Sequence, residues 1–132
     1  MKKTLILCAL VLSAGLADSL STGLMLAGEG KDHVGANKYF KISCESESSA
    51  EGCYMLAESY YIGRGTSANP TKALEYYIKA CELGETTGCY DAGEIYAKGE
   101  GEIKADTKKA KEFYEKSCKM NTKEACEKLK AF

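Results

Sequence analysis

The chain has 132 residues, 18 of them basic and 19 acidic, with a single histidine, a near-neutral and well-mixed balance. Neither a nucleic acid nor an anionic lipid surface suits that balance, because both call for clustered lysine and arginine. A length in this range supports one domain, and seven cysteines are what its composition offers as a constraint on the fold.

Met1-Lys2-Lys3 followed by the apolar run from Leu5 to Leu12 reads as a secretory signal peptide over residues 1–17, with Gly15 and Ala17 as the small residues before a cleavage at Asp18. The run is too short to span a bilayer, so no stable membrane insertion is expected after cleavage. Cys8 lies inside the run behind Leu7 rather than just after it behind a small residue, which argues against a lipid anchor. Losing Lys2, Lys3 and Cys8 from the counts leaves 16 basic against 19 acidic residues and six cysteines. An even cysteine count in an exported chain reads as disulfides, and the expected location is secreted or periplasmic.

Within the N-terminal segment 18–35, Gly28-Glu29-Gly30-Lys31-Asp32 echoes a glycine loop that recurs downstream, so residues 19–28 are expected to form a remnant helix covering the first repeat unit. From Ala36 onward the chain repeats. A shift of 37 aligns Ala36, Ala73 and Ala110, then Tyr39-Phe40, Tyr76-Tyr77 and Phe113-Tyr114, then Cys44, Cys81 and Cys118. Cys53, Cys89 and Cys126 also match, as do Tyr60 with Tyr96 and Gly63-x-Gly65 with Gly99-x-Gly101. A period in the thirties is the signature of an all-α, α/α repeat solenoid, here with units at 36–72, 73–109 and 110–132.

Each unit resolves into two helices. Ala73, Leu74, Tyr77, Ile78 and Cys81 have the spacing of one apolar helical stripe, helix A, while Cys89, Ala92, Gly93 and Tyr96 form helix B, which Gly99 stops. Asn69-Pro70 and Asp106 are suited to cap the helix A that comes after each loop. The last unit ends after helix B with Glu124, Lys128 and Lys130 on its surface, as the end of an open stack requires.

Every unit carries one cysteine late in helix A and one at the start of helix B. Six cysteines allow fifteen pairings, but alike units favour the local set Cys44–Cys53, Cys81–Cys89 and Cys118–Cys126. Zinc would need C-x2-C pairs or histidine partners, and a redox enzyme a C-x-x-C; the sequence has none of these, and His33 stands alone. No metal site, cofactor or catalytic residue is read from it. The G-x-G pairs come after helices and lack the lysine of a phosphate loop, so they read as helix caps. Phe40, Tyr77 and Tyr114 fall on the apolar stripe and read as core rather than as a stacking platform.

With these residues in place the chain resembles the Sel1-like repeat family, relatives of tetratricopeptide repeats, and more narrowly the helicobacter cysteine-rich proteins. Ala73, Tyr77, Cys81, Cys89, Tyr96, Gly99, Gly101 and Ala110 match the motif, while Ser117 replaces the alanine at Ala80 and Ala92 stands where leucine is common. The resemblance implies a right-handed superhelix with one disulfide per hairpin. It also brings a β-lactam-binding or weak β-lactamase label, with a β-lactam or cell-wall fragment as ligand. Serine lactamase chemistry needs S-x-x-K and K-T-G, which the sequence lacks, and one histidine cannot hold a hydrolytic zinc.

A binding module is the favoured reading, with a protein or peptide partner. Stacked hairpins turn helix A toward a concave face. The column one and five places after the leading alanine reads Asn37 and Lys41, then Leu74 and Ile78, then Lys111 and Glu115, an apolar middle flanked by charge that suits an extended peptide or an amphipathic helix; the alternative is that Leu74 and Ile78 pack against the adjacent unit and leave no groove.

Overall fold

The computed structural model describes residues 19–132; the expected leader over 1–17 and its expected cleavage at Asp18 lie outside the described residues. Those residues form seven helices: α1 (Ser19–Gly28), α2 (His33–Glu45), α3 (Ala50–Ile62), α4 (Pro70–Glu82), α5 (Thr86–Lys98), α6 (Thr107–Lys119) and α7 (Lys123–Leu129). Each packs chiefly on its neighbours in chain order, so the architecture is a one-dimensional stack of hairpins, with α2/α3, α4/α5 and α6/α7 as units and α1 in front.

Local chemistry sets the helix starts. Asp32, Ser49, Asn69 and Asp106 each accept, through a side-chain oxygen, the backbone N–H three residues on, at 2.9, 3.1, 3.1 and 3.0 Å. Each such bond satisfies one of the donors that a helix start leaves unpaired. Thr122 makes no such cap; its hydroxyl lies 2.5 Å from that of Thr86 and ties the last turn to the preceding hairpin. At the other end Gly63 and Gly99 close α3 and α5 with φ of 71° and 70°, a region costly for residues with a Cβ.

One bond recurs between units and fixes their register. The backbone N–H of Asn69 donates to the Tyr60 carbonyl at 2.7 Å and that of Asp106 to the Tyr96 carbonyl at 2.7 Å. Asp32 donates in the same way to Leu26 at 2.9 Å. Leu26 therefore stands where Tyr60 and Tyr96 stand, and α1 occupies the place of a helix B. Counting back from that bond, Gly23 corresponds to Ala57 and Gly93, and Leu24 to Glu58 and Glu94.

The core is a chain of small clusters, one per junction. The central one joins Ala57 of α3, Ala73, Leu74 and Tyr77 of α4, and Ala92 and Ile95 of α5. Large rings fill the space that small residues leave: a Cβ on Gly93 would sit 2.8 Å from the Tyr114 ring, and one on Gly23 would sit 2.7 Å from the Phe40 ring. Outside this core a second ring layer repeats. Tyr76 stacks on Tyr60 and Phe113 on Tyr96, with centroids 5.8 and 5.7 Å apart, while Lys72 and Lys109 each lie 5.2 Å from the centroid of the helix-B tyrosine.

The three cysteine pairs form the local disulfides, Cys44–Cys53, Cys81–Cys89 and Cys118–Cys126, with Cα atoms 4.5, 4.6 and 4.8 Å apart. Helices come this close because the residue before the second cysteine is Gly52, Gly88 or Ala125. A Cβ on Gly88 would stand 2.9 Å from the Tyr77 carbonyl oxygen. Opposite Gly52 the Ser43 hydroxyl is fully buried without a hydrogen-bond partner, whereas the middle hairpin has Ala80 at that place. Ser43→Ala is therefore expected to stabilise the protein by about 1 kcal/mol, seen as a higher urea midpoint with an unchanged slope.

Candidate functional site

The column of helix-A positions does not form one surface. Leu74 is 7% exposed and belongs to the central core cluster, with Ile78 half-buried against it. The apolar middle of the expected peptide groove is thus taken up by the protein itself. The physical reason is that α4 lies between α3 and α5, so the apolar stripe it buries is wide enough to take in the positions one and five places after Ala73. Asn37 and Lys41 do come together, beside a shallow pocket of about 190 Å³ under the Gly65 loop, where the Asn37 amide donates to the Arg64 carbonyl at 2.8 Å. Lys111 is exposed and Glu115 half-buried on α6, and neither lines this pocket.

A larger cavity, about 230 Å³, opens between α3, α4 and α5 across the junction of the first two hairpins. Its walls carry Tyr61, Tyr77 and Tyr90, and its carboxylates are Glu58, Asp91, Glu94 and Glu100. Helix periodicity explains the gathering. Glu58 and Tyr61 share one face of α3, while Asp91, Glu94 and Lys98 recur at three- and four-residue steps on the facing side of α5. Tyr77 reaches in from the core of α4, packing at 5.7 Å on the Tyr54 ring and at 6.2 Å on the Tyr61 ring.

The tyrosine hydroxyls serve the carboxylates. Tyr77 donates to Glu58 Oε1 and, one unit on, Tyr114 donates to Glu94 Oε1 at 2.5 Å. Burial, then the hydrogen bond to Glu58, pushes the Tyr77 hydroxyl far above the usual phenol range, and burial with the Asp91 and Glu58 charges does the same for Tyr54. These hydroxyls stay protonated and act as donors.

The carboxylates differ in what neutralises them. Glu94 is met by Lys98 at 3.0 Å and Lys128 at 2.8 Å. Burial alone would raise its carboxyl, but hydrogen bonds from Lys128, Tyr114 and Lys98 outweigh that and lower it to about 2. Among the described residues neither Glu58 nor Asp91 has a lysine or arginine within ion-pair distance. Burial, with the Glu58 and Glu94 charges, raises the Asp91 carboxyl to about 6, against partial relief from the Tyr54 hydroxyl.

A raised carboxyl binds its proton in the folded state before the unfolded one does. The ionised Asp91 therefore costs stability above pH 6, and the cost disappears as pH falls from about 6 toward 4. Asp91→Asn is expected to stabilise the protein at pH 8 by about 1–2 kcal/mol, with a gain that shrinks to near zero by pH 4. Urea unfolding at the two pH values reads this directly; a gain independent of pH would mean that the charge is not responsible.

The cavity holds donors and carboxylates but no activated nucleophile. Ser43, Ser59 and Ser117 are each 5% exposed or less and none lines it. Among the described residues no three of His, Cys, Asp and Glu are grouped to hold a metal ion. His33 opens α2 with its Nδ1 buried and unpaired. Sequence reasoning placed the site on helix A and missed Glu58, Asp91 and Glu94 on helix B. The signal was present for two of them, since Glu58 and Glu94 each stand five residues after a helix-B cysteine.

The Sel1 repeat family model matches residues 14–48, 50–85 and 86–122. The matched segments run from a B helix through the glycine loop to the next A helix, a phase offset from the disulfide-closed hairpins. Cytochrome c oxidase assembly factor 7A of Xenopus laevis is 34% identical over 98 residues, which is 69% of this chain and 42% of that protein. The chain spans less than half the length of the curated relatives it matches. Among solved structures, Helicobacter pylori cysteine rich protein B is 32% identical with a TM-score of 0.67, covering 71% of this chain and 69% of that one. A Sel1 repeat protein from Oxalobacter formigenes superposes with a TM-score of 0.76 at 23% identity over 86% of this chain and 47% of its own, a likeness of fold. With three matched repeats and a disulfide closing each hairpin, the chain is a cysteine-rich member of the Sel1 repeat family.

Proposed function

We propose that this protein is an exported scaffold, secreted or periplasmic, that holds a protein or peptide partner, with the tyrosine-walled cavity between the first two hairpins as its contact site. The supporting observation is the cavity itself, open to solvent and set across the joint of two covalently closed hairpins, so that its walls are held without a partner. A preformed site loses little conformational freedom on binding. Sel1 repeats are scaffolds for protein–protein contact, and the Xenopus laevis relative is named as an assembly factor. Export is supported by the leader pattern and by cysteines that pair within every hairpin, an arrangement at home in an oxidising compartment.

The test is a display library of random dodecapeptides selected on the oxidised protein, with the enriched peptides then measured by fluorescence anisotropy. Saturable binding that is lost on reduction supports the reading; a library that yields no saturable binder overturns it. Mass spectrometry of culture medium, periplasm and cytoplasm tests the compartment: oxidised protein starting at Asp18 in the medium or periplasm supports export, and protein found in the cytoplasm alone overturns it.

A further inference from the structure

We propose that the cavity between α3, α4 and α5 is a receptor for a single lysine or arginine side chain of the partner, held by Glu58 and Asp91 and walled by Tyr61, Tyr77 and Tyr90. The proposal rests on the scaffold reading and gives its site a ligand class.

Three independent features of the cavity point to a cationic side chain. The first is size: about 230 Å³ is on the scale of one long side chain and too small for a folded element. The second is an imbalance of charge. Four carboxylates face the space, and the lysines within reach, Lys98 and Lys128, are both committed to Glu94. Among the described residues Glu58 has only the Tyr77 hydroxyl, and Asp91 is held among Tyr54, Glu58 and Glu94 with no cation. A half-buried carboxylate without a counter-ion is costly, and an incoming ammonium or guanidinium removes that cost on binding. The third is the aromatic wall. Ring faces attract cations, and tyrosines also cover the apolar stem of a lysine or arginine side chain.

The repeat supplies an internal comparison. At the next junction the place of Glu58 is taken by Glu94, and there the chain provides its own cation: Lys128 of α7 reaches across to Glu94 at 2.8 Å. At the junction before, Leu24 replaces the glutamate and Phe40 replaces the tyrosine, so no charge is buried. One junction is apolar and one is neutralised internally; the middle junction is left acidic and open. The Lys128–Glu94 pair shows, within this molecule, the contact that the partner's basic side chain makes with Glu58 and Asp91.

The experiment uses an array of fluorescent-detected undecapeptides in which the central residue is fixed as lysine, arginine, norleucine or glutamate and the flanks are randomised. Oxidised protein is expected to bind lysine- and arginine-centred peptides about tenfold more tightly than norleucine-centred ones, and glutamate-centred ones least. Asp91→Asn and Glu58→Gln are expected to abolish that preference, whereas Glu112→Gln, the same charge change on the exposed face of α6, leaves it intact. Because Asp91→Asn is expected to raise stability, loss of binding in that variant is not loss of fold; helical spectra and intact disulfide masses verify this. Equal binding of norleucine- and lysine-centred peptides, or an unchanged preference in Asp91→Asn, overturns the proposal while leaving the scaffold reading standing. An array on which no peptide binds overturns both.

Discussion

Replacing Cys81 and Cys89 with serine is expected to destabilise the protein by about 4 kcal/mol, against about 2–3 kcal/mol for the Cys118 and Cys126 pair, measured as the shift in urea unfolding free energy. Chain entropy alone predicts equal losses, because both bridges close loops with the same sequence separation of 8. The difference comes from the folded state. Cys81 and Cys89 are 6% and 0% exposed, so two serine hydroxyls would be left in the interior of the middle hairpin, whereas Cys118 and Cys126 are half-buried at the end of the stack. The middle hairpin also contacts units on both sides, and loosening it uncouples them. Against the 5–15 kcal/mol usual for a domain, the loss is a large fraction of the whole. Equal losses for the two pairs would show that loop entropy is the entire contribution.

That the sulfurs pair within hairpins was readable from the sequence because period, cysteine spacing and helix start signals all agree. Asn69, Asp106 and the glycine loops carry their meaning in one residue each, since a cap or a positive φ is a local demand. The site was less legible. Leu74 satisfies both an apolar stripe and a surface column, and deciding between them requires knowing that α4 is flanked on two sides. Glu58 and Asp91 lie on different hairpins, 33 positions apart in sequence, and nothing in either segment reports that they face one space. Asp91 has no acidic counterpart in the other units, where Met55 and Lys128 hold its place, so the repeat that reveals the fold conceals the departure from it.

The departure that the repeat does expose is the tyrosine–glutamate pair, and it sets the largest single-residue effect. Tyr77→Ala is expected to cost about 3–5 kcal/mol, because the ring is 2% exposed at the centre of the core cluster and its removal leaves a cavity between three helices. Tyr77→Phe keeps the ring and removes the donor to Glu58, for about 1 kcal/mol. Adding Glu58→Leu to Tyr77→Phe is expected to recover that loss, since the first hairpin already joins a phenylalanine, Phe40, to a helix that carries Leu24 at the equivalent place. A double-mutant cycle on urea unfolding measures the coupling, and additive effects would refute the equivalence of the junctions. The same double variant separates folding from binding: it is expected to match the native stability to within about 0.5 kcal/mol while losing the preference for lysine- and arginine-centred peptides. A protein under selection for stability alone would use the apolar pair at every junction. The glutamate of the middle junction, with no lysine among the described residues to meet it, is kept at a cost that binding a basic side chain would offset.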